Sequence, residues 1–201
     1  LEQPAASSLA ARTYKPLLQP GLHKIIGFAK RTQGLIVAKG NPLGLQSLAD
    51  VARTGARFVN RPLGSGTRVL LEDQLALAGL TGQHITGFDR DEPSHTAVAQ
   101  AVVAGAADAG LGIEIAARAR GLDFVPLVDE HYHLACLKSS LEQPATRALR
   151  ALLLSPAWQL HMAQLPGYTP MRSGEVLAMS SVLPWWQFAG PKRTSAPRKK
   201  P

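Results

Sequence analysis

The chain has 201 residues, 45% of them apolar and 18% charged, which is enough to bury a core in one large domain or two small lobes and too apolar for a disordered protein. Its formal charge of +8 points to nucleic acid only until it is divided along the chain: Lys192, Arg193, Arg198, Lys199 and Lys200 stand in the last eleven residues with no acid, leaving +3 elsewhere. The single cysteine, Cys136, excludes an internal disulfide framework, and the longest apolar stretch, Ala97–Ala107, falls short of the ~20 residues that span a bilayer. With no secretory pattern in Leu1–Ala11, the expectation is a soluble, cytoplasmic protein with no membrane partner. The chain does not start with Met, so an upstream part is expected.

Leu1–Pro20 reads as a linker or remnant. Apolar runs of strand character follow at Lys24–Ala29 and Gln33–Ala38, stopped by the breaker cluster Gly40, Asn41 and Pro42. A helix is expected over Leu43–Ala52 and a strand over Ala56–Asn60. A turn at Arg61–Thr67 leads to a helix at Arg68–Ala78, closed by Gly79. The pattern then repeats, with a strand at His84–Phe88, a helix capped by Ser94 or Thr96 and reaching Ala104, and a strand at Ala107–Ile113. A helix at Glu114–Arg120, strands at Asp123–Val128 and Tyr132–Leu137, and helices at Leu141–Leu154 and Pro156–Leu165 complete the body. Alternation of this kind predicts an α/β fold with a mainly parallel sheet. Residues 189–201 are expected to be a disordered basic tail.

The strongest chemical signal is the segment Asn60, Arg61, Pro62, Leu63, Gly64, Ser65, Gly66, Thr67, Arg68 between a strand and a helix. Ligands of α/β sheets bind at the carboxyl ends of strands, where the next helix offers free N–H groups. Gly64 and Gly66 permit close approach, Ser65 and Thr67 add hydroxyls, and Arg61 and Arg68 can bond an oxyanion. The segment is neither a Walker loop, nor a dinucleotide fingerprint, nor a nucleophile elbow, since Leu63 stands where the first Gly of the elbow would be. A Gly/Ser helix cap without a ligand is the alternative for Ser65 or Thr67. His131 and His133 share a strand face near Glu130 and Cys136, but their spacing matches no zinc motif, so no metal is expected. Trp185 and Trp186 could be a partner patch or could pack on the body. No acid, base and nucleophile set can be assembled, so no catalytic residues, no cofactor and no enzyme activity are expected.

QGLIVAKGNP at 33–42, RFVNRPLGSGTR at 57–68, TAVAQAVVAGAADAGLGI at 96–113 with His95 before it, LDFVPL at 122–127 and the ending LPGYTPMRSGEVLAMSSVLPWW resemble a known family. They are similar to the periplasmic-binding-protein-like domain of bacterial helix-turn-helix regulators, itself related to molybdate- and tungstate-binding proteins and also found fused to molybdopterin-biosynthesis proteins. The resemblance covers about residues 12–188. It implies a type II periplasmic-binding-protein-like fold of two lobes joined by crossing strands near Leu35–Asn41 and Pro126–Leu134. Residues 21–41 and 127–188 would form a partial first lobe, and 42–126 the second lobe. The first lobe would be incomplete, because its opening strand, helix and strand have no counterpart here.

In the family pattern His95 faces the cleft, Asp108 orders the cleft floor or accepts from a ligand, and Tyr132 reaches in from the second crossing. The alternatives are a surface histidine, a strand-end residue pairing with backbone and a half-buried aromatic. The resemblance implies a sensing domain for a small oxyanion such as molybdate or tungstate. DNA would be bound only through a separate helix-turn-helix domain, in an arrangement compatible with a homodimer. A solute receptor of an uptake system and a domain fused to a molybdopterin enzyme are the alternatives. Molybdate, tungstate and sulfate suit a donor-only site, whereas phosphate keeps a proton and wants an acceptor such as Asp91, Glu92 or Asp108.

Overall fold

Two fifteen-residue strands, β1 (His23–Val37) and β4 (Asp123–Leu137), form the spine of the computed structural model, which describes residues 9–183. They pair antiparallel from end to end, with His23 opposite Leu137 and Val37 opposite Asp123. The sequence reading split each strand in two, because Lys30, Arg31 and Thr32 interrupt one apolar run and Asp129, Glu130 and His131 the other. In the ladder these interruptions face each other. Lys30 Nζ donates to one oxygen of Asp129 (2.8 Å), Thr32 Oγ1 donates to the other (2.6 Å), and Arg31 pairs with Glu130. Polar residues that pair across a ladder continue a strand rather than end it.

The C-terminal half of β1 pairs antiparallel with β3 (Ala109–Ile113), and β3 pairs in parallel with β2 (Phe58–Val59). The N-terminal half of β1 takes β5 (Tyr168–Pro170) and β6 (Val176–Leu177), both antiparallel. The sheet is therefore mainly antiparallel, which corrects the parallel expectation. A helical crossover fixes parallel pairing only for the strands it joins, and β1 is instead traversed against four of its neighbours.

Four helices flank the β2–β3 half: α2 (Leu48–Thr54), α3 (Gly66–Leu77), α4 (His95–Val103) and α5 (Glu114–Arg118). The period of two along β1 sorts its side chains to opposite faces. Leu35 and Val37 join Val51, Phe58, Leu71, Leu75 and Leu111 on one face, and Ile36 joins Val59, Val98, Val102 and Ala117 on the other. Each of α2, α3 and α4 starts on a serine whose Oγ accepts a backbone N–H three residues on: Ser47 from Asp50, Ser65 from Arg68, Ser94 from Ala97. The Ser47 cap explains why α2 starts later than Leu43.

The other half carries α6 (Pro144–Leu154), α7 (Pro156–Ala163) and α8 (Met179–Val182), the first two opening with Pro in the first turn. It also carries α1 (Leu9–Tyr14), which lies within the stretch read as a linker or remnant. The N–H groups of Leu9 and Ala10 donate to the carboxylate of Asp73 on α3 (2.8 and 3.1 Å). Ala11 is buried with Ile25, Leu177, Met179 and Leu183, and Tyr14 and Leu18 pack on the same cluster.

A second correction concerns His84–Phe88, read as a strand. Gly82–His84 is a 3₁₀ turn, and Gly87 stands at φ +85° with the Phe58 carbonyl only 2.4 Å from where a Cβ would be. A left-handed residue that tight against β2 ends any extended run. Trp185, Trp186 and the basic tail lie outside the described residues.

Candidate functional site

The C-terminal ends of β2 and β3 and the starts of α3 and α4 meet the middle of the β1–β4 spine. Asn60 continues β2 and is fully buried. Its Nδ2 donates to the Phe88 carbonyl (3.2 Å), its N–H to Arg90 (2.7 Å), and its Oδ1 accepts the N–H of Arg61 (2.9 Å). All of these bonds are internal, so Asn60 holds the two loops in place rather than offering free donors. Those loops aim Arg61, whose Nε and Nη2 donate to the carbonyls of Glu92 and Pro93 (3.0 and 2.9 Å). Arg61 has no carboxylate partner among the described residues. Burial and the nearby Arg31 both pull its pKa downward, which marks a cation whose charge nothing nearby neutralises.

Pro62 to Ser65 turn back on themselves, with Ser65 N–H donating to Pro62 O (3.1 Å) and Gly64 at φ +85°. The turn delivers the chain into α3 with the N–H groups of Gly66 and Thr67 in its first turn, where no helical carbonyl precedes them. The twelve-residue α3 places the positive end of its dipole here. Leu63 is exposed and Thr67 buried.

His95 opens α4 next to Gly112 of β3. Its Nδ1 is buried and has no partner among the described residues. Burial first, then the charges of Arg61 and Arg31, push its pKa down to about 4, so at neutral pH it is an uncharged imidazole with one N–H to donate. The same influences identify a residue the sequence reading missed. Arg31 lies at the middle of β1, within electrostatic reach of both Arg61 and His95. Burial opposes its charge, but Glu130 and Tyr168 together favour it more strongly and raise its pKa. Its guanidinium lies 4.8 Å from the centre of the Tyr132 ring. Tyr132 is half-exposed, edge-on to Phe28 at 5.6 Å. Glu130, Tyr14 and Tyr168 belong to the same surroundings and were likewise not singled out for the cleft. The available signal was a basic pair, Lys30 and Arg31, inside an apolar strand, matched by Asp129 and Glu130 in another.

Two expected site residues lie elsewhere. Arg68 is turned inward and buried; its Nε donates to Glu72 (2.7 Å), its Nη1 to the Phe88 carbonyl (3.3 Å), and its guanidinium stacks 4.0 Å from the Phe88 ring centre. Arg68 shares the face of α3 that carries Leu71 and Leu75, at spacings of three and seven, and that face packs on the sheet. Asp108 precedes β3 at the end opposite His95, about 16 Å along the strand at 3.3 Å per residue. There it takes Nε and Nη2 of Arg57 (3.0 and 2.6 Å) as well as the Arg57 N–H (2.8 Å). A hollow of about 110 Å³ beside it, lined by Val37, Asn41, Leu45 and Val102 among others, contains no basic residue and does not suit an anion. Asp108 is thus a strand-end clamp. His131 and His133 stack edge to face at 6.3 Å, and no group of three metal-ligating side chains occurs among the described residues.

The family model described as the PBP superfamily domain matches residues 2–154. The chain belongs to the PBP superfamily. Relatives within reach include an uncharacterised protein, YvgK, of Bacillus subtilis, 37% identical over 153 residues, 76% of this chain and 49% of that one. The molybdate-binding protein ModA of Mycobacterium tuberculosis is 31% identical over 141 residues, 65% of this chain and 51% of that one. The chain therefore spans about half the length of each of these two relatives. Among solved structures, this PBP-superfamily chain is similar in fold to L-phospholactate-bound PEB3 (TM-score 0.56, 18% identity, 74% of this chain and 69% of that one). It is also similar to the substrate-binding domain assigned to a molybdenum ABC transporter from Clostridium difficile (TM-score 0.54, 15% identity, 80% and 72%). The fold is accordingly of the type II periplasmic-binding-protein kind, and small-ligand binding is the activity of its relatives of known role. No helix among the described residues is long and apolar enough to cross a membrane.

Proposed function

We propose that this domain binds a small oxyanion between the α3 and α4 starts and the β1–β4 spine, as the sensing part of a transcription regulator. The observation that carries the reading is Arg61, an arginine without a carboxylate partner, standing just before the Gly64–Thr67 turn at the positive end of α3. An unneutralised cation beside free helix N–H groups is stabilised by an anion. Neutral His95 adds a donor without adding charge, and Arg31 has its charge matched by Glu130. That balance suits an anion held by one unmatched positive charge and several N–H bonds, and the name of the mycobacterial relative makes molybdate and tungstate the first candidates.

In the regulator reading, residues 42–126 are the lobe that grips the ligand, and 21–41 with 127–188 the lobe that closes on it. Ligand acts through its greater affinity for the closed state. DNA would be reached through a separate helix-turn-helix domain, in the cytoplasm, with dimerisation compatible. A second reading, the solute receptor of an uptake system, is favoured by the names of the mycobacterial and clostridial relatives. The gene sequence upstream separates the two: a helix-turn-helix supports the regulator, a signal peptide the receptor.

The binding itself is tested by calorimetric titration with molybdate, tungstate, sulfate and phosphate. Saturable binding of at least one, abolished or strongly weakened by Arg61→Gln, is expected. Binding of none of them refutes the reading.

A further inference from the structure

The α3 start is approached from one more side. Tyr14, the last residue of α1, puts its hydroxyl oxygen 3.2 Å from where a Cβ on Gly66 would stand. The phenol thus touches the first turn of α3, within electrostatic reach of Glu130 and Tyr132 across the β4 side of the site. Its ring packs on the Ile25–Leu177 cluster, but its hydroxyl makes no hydrogen bond among the described residues. Burial, Glu130 and Tyr132 all raise its pKa, so the O–H remains a donor at every pH at which the protein would work.

The helix that carries it is held from both sides. Asp73 of α3 takes the first two N–H groups of α1, while Ala11 and Tyr14 pack on the half of the molecule that contains β6 and α8. A free donor at the end of so firmly anchored a helix is positioned rather than left over. An independent sign of a ligand lies on β1. Gln33, two residues from Arg31 and opposite Ile113 at the His95 end of β3, is fully buried, yet neither atom of its carboxamide has a partner among the described residues. Buried polar groups without partners are rare in proteins and cluster where function imposes them.

We propose that Tyr14 is a ligand-contacting residue whose O–H donates to the anion held at the start of α3, and that α1 is the clasp that brings it there from outside the two crossing strands. The proposal rests on the oxyanion reading. It adds to the binding set a residue from a segment that precedes both lobes' strands, so ligand and α1 order each other.

The test is calorimetric titration of the full chain and of its Tyr14→Phe and Arg61→Gln variants with molybdate, tungstate, sulfate and phosphate, with melting followed in parallel. Phe keeps the ring that fills the Ile25–Leu177 cluster, so the variant is expected to melt close to the parent. Loss of a hydrogen bond to a charged group predicts affinity lower by about tenfold or more. If Tyr14→Phe binds like the parent while Arg61→Gln does not, Tyr14 only packs, and the proposal falls while the oxyanion reading stands. If the parent binds no anion, both fall.

Discussion

The pH dependence of stability at His95 can be worked from its surroundings. In the unfolded chain a histidine titrates near 6.5, and in the native state burial, Arg61 and Arg31 hold His95 down to about 4. A depressed native pKa means that the unfolded state binds the proton first. The stability in question is therefore fully present above the unfolded value and is lost as pH falls from 6.5 towards about 4. Linkage across that difference gives a loss of about 2 kcal/mol on going from about pH 7.5 to about pH 5. For a domain of this size that corresponds to roughly 4–8 °C in melting temperature. His133, buried beside His131, is also held down and adds to the slope in the same range, so the informative quantity is a difference. The assay is thermal or urea unfolding of the parent and of His95→Gln at a series of pH values in this window. Gln has no proton to gain, so its curve should be flatter by that amount. Equal slopes for the two proteins would show that His95 is not held neutral by Arg61 and Arg31, and would remove the electrostatic basis of the site.

Two other substitutions separate binding from folding. Gly66→Val puts a branched side chain against the Tyr14 hydroxyl and over the N–H groups of the α3 start, and should abolish oxyanion binding in calorimetry while costing at most about 1 kcal/mol of stability. Arg68→Ala removes the contacts to Glu72 and Phe88 and should lower stability by about 2 kcal/mol in urea unfolding; if it weakened anion binding without destabilising the protein, the inward placement of its guanidinium would be refuted.

Local chemistry was legible where neighbours in sequence supply both partners. The Ser65 and Ser94 caps, the α4 boundaries and the placement of Gly64–Thr67 between a strand and a helix follow from residues within a few positions of each other. Arg68 was legible too, because its spacing from Leu71 and Leu75 puts it on the packed face of α3. Its charge was instead taken as a sign of ligand contact. What could not be read depends on pairs distant in the chain. Arg31 becomes a site residue only once Glu130 is known to lie across the ladder, and the two spine strands become continuous for the same reason. The helix α1 is too short to stand on its own propensity and is fixed by Asp73, more than sixty positions away. Asp108 was placed at the wrong end of its strand for the site because a run of small residues carries no mark of which end faces the ligand.

The continuous spine also has a mechanical side. One half of the molecule cannot turn against the other about a loose linker, since β1 and β4 bridge them as a two-stranded ribbon bonded along its whole length. The ribbon has two irregularities, where Phe28 and Leu127 are left out of the register, and extra residues of this kind sharpen the local right-handed twist. Relative motion of the halves is then a winding and unwinding of the ribbon about these points, with an elastic restoring torque. Ligand gripped at one end changes the winding, and whatever is attached at the other end feels it as rotation.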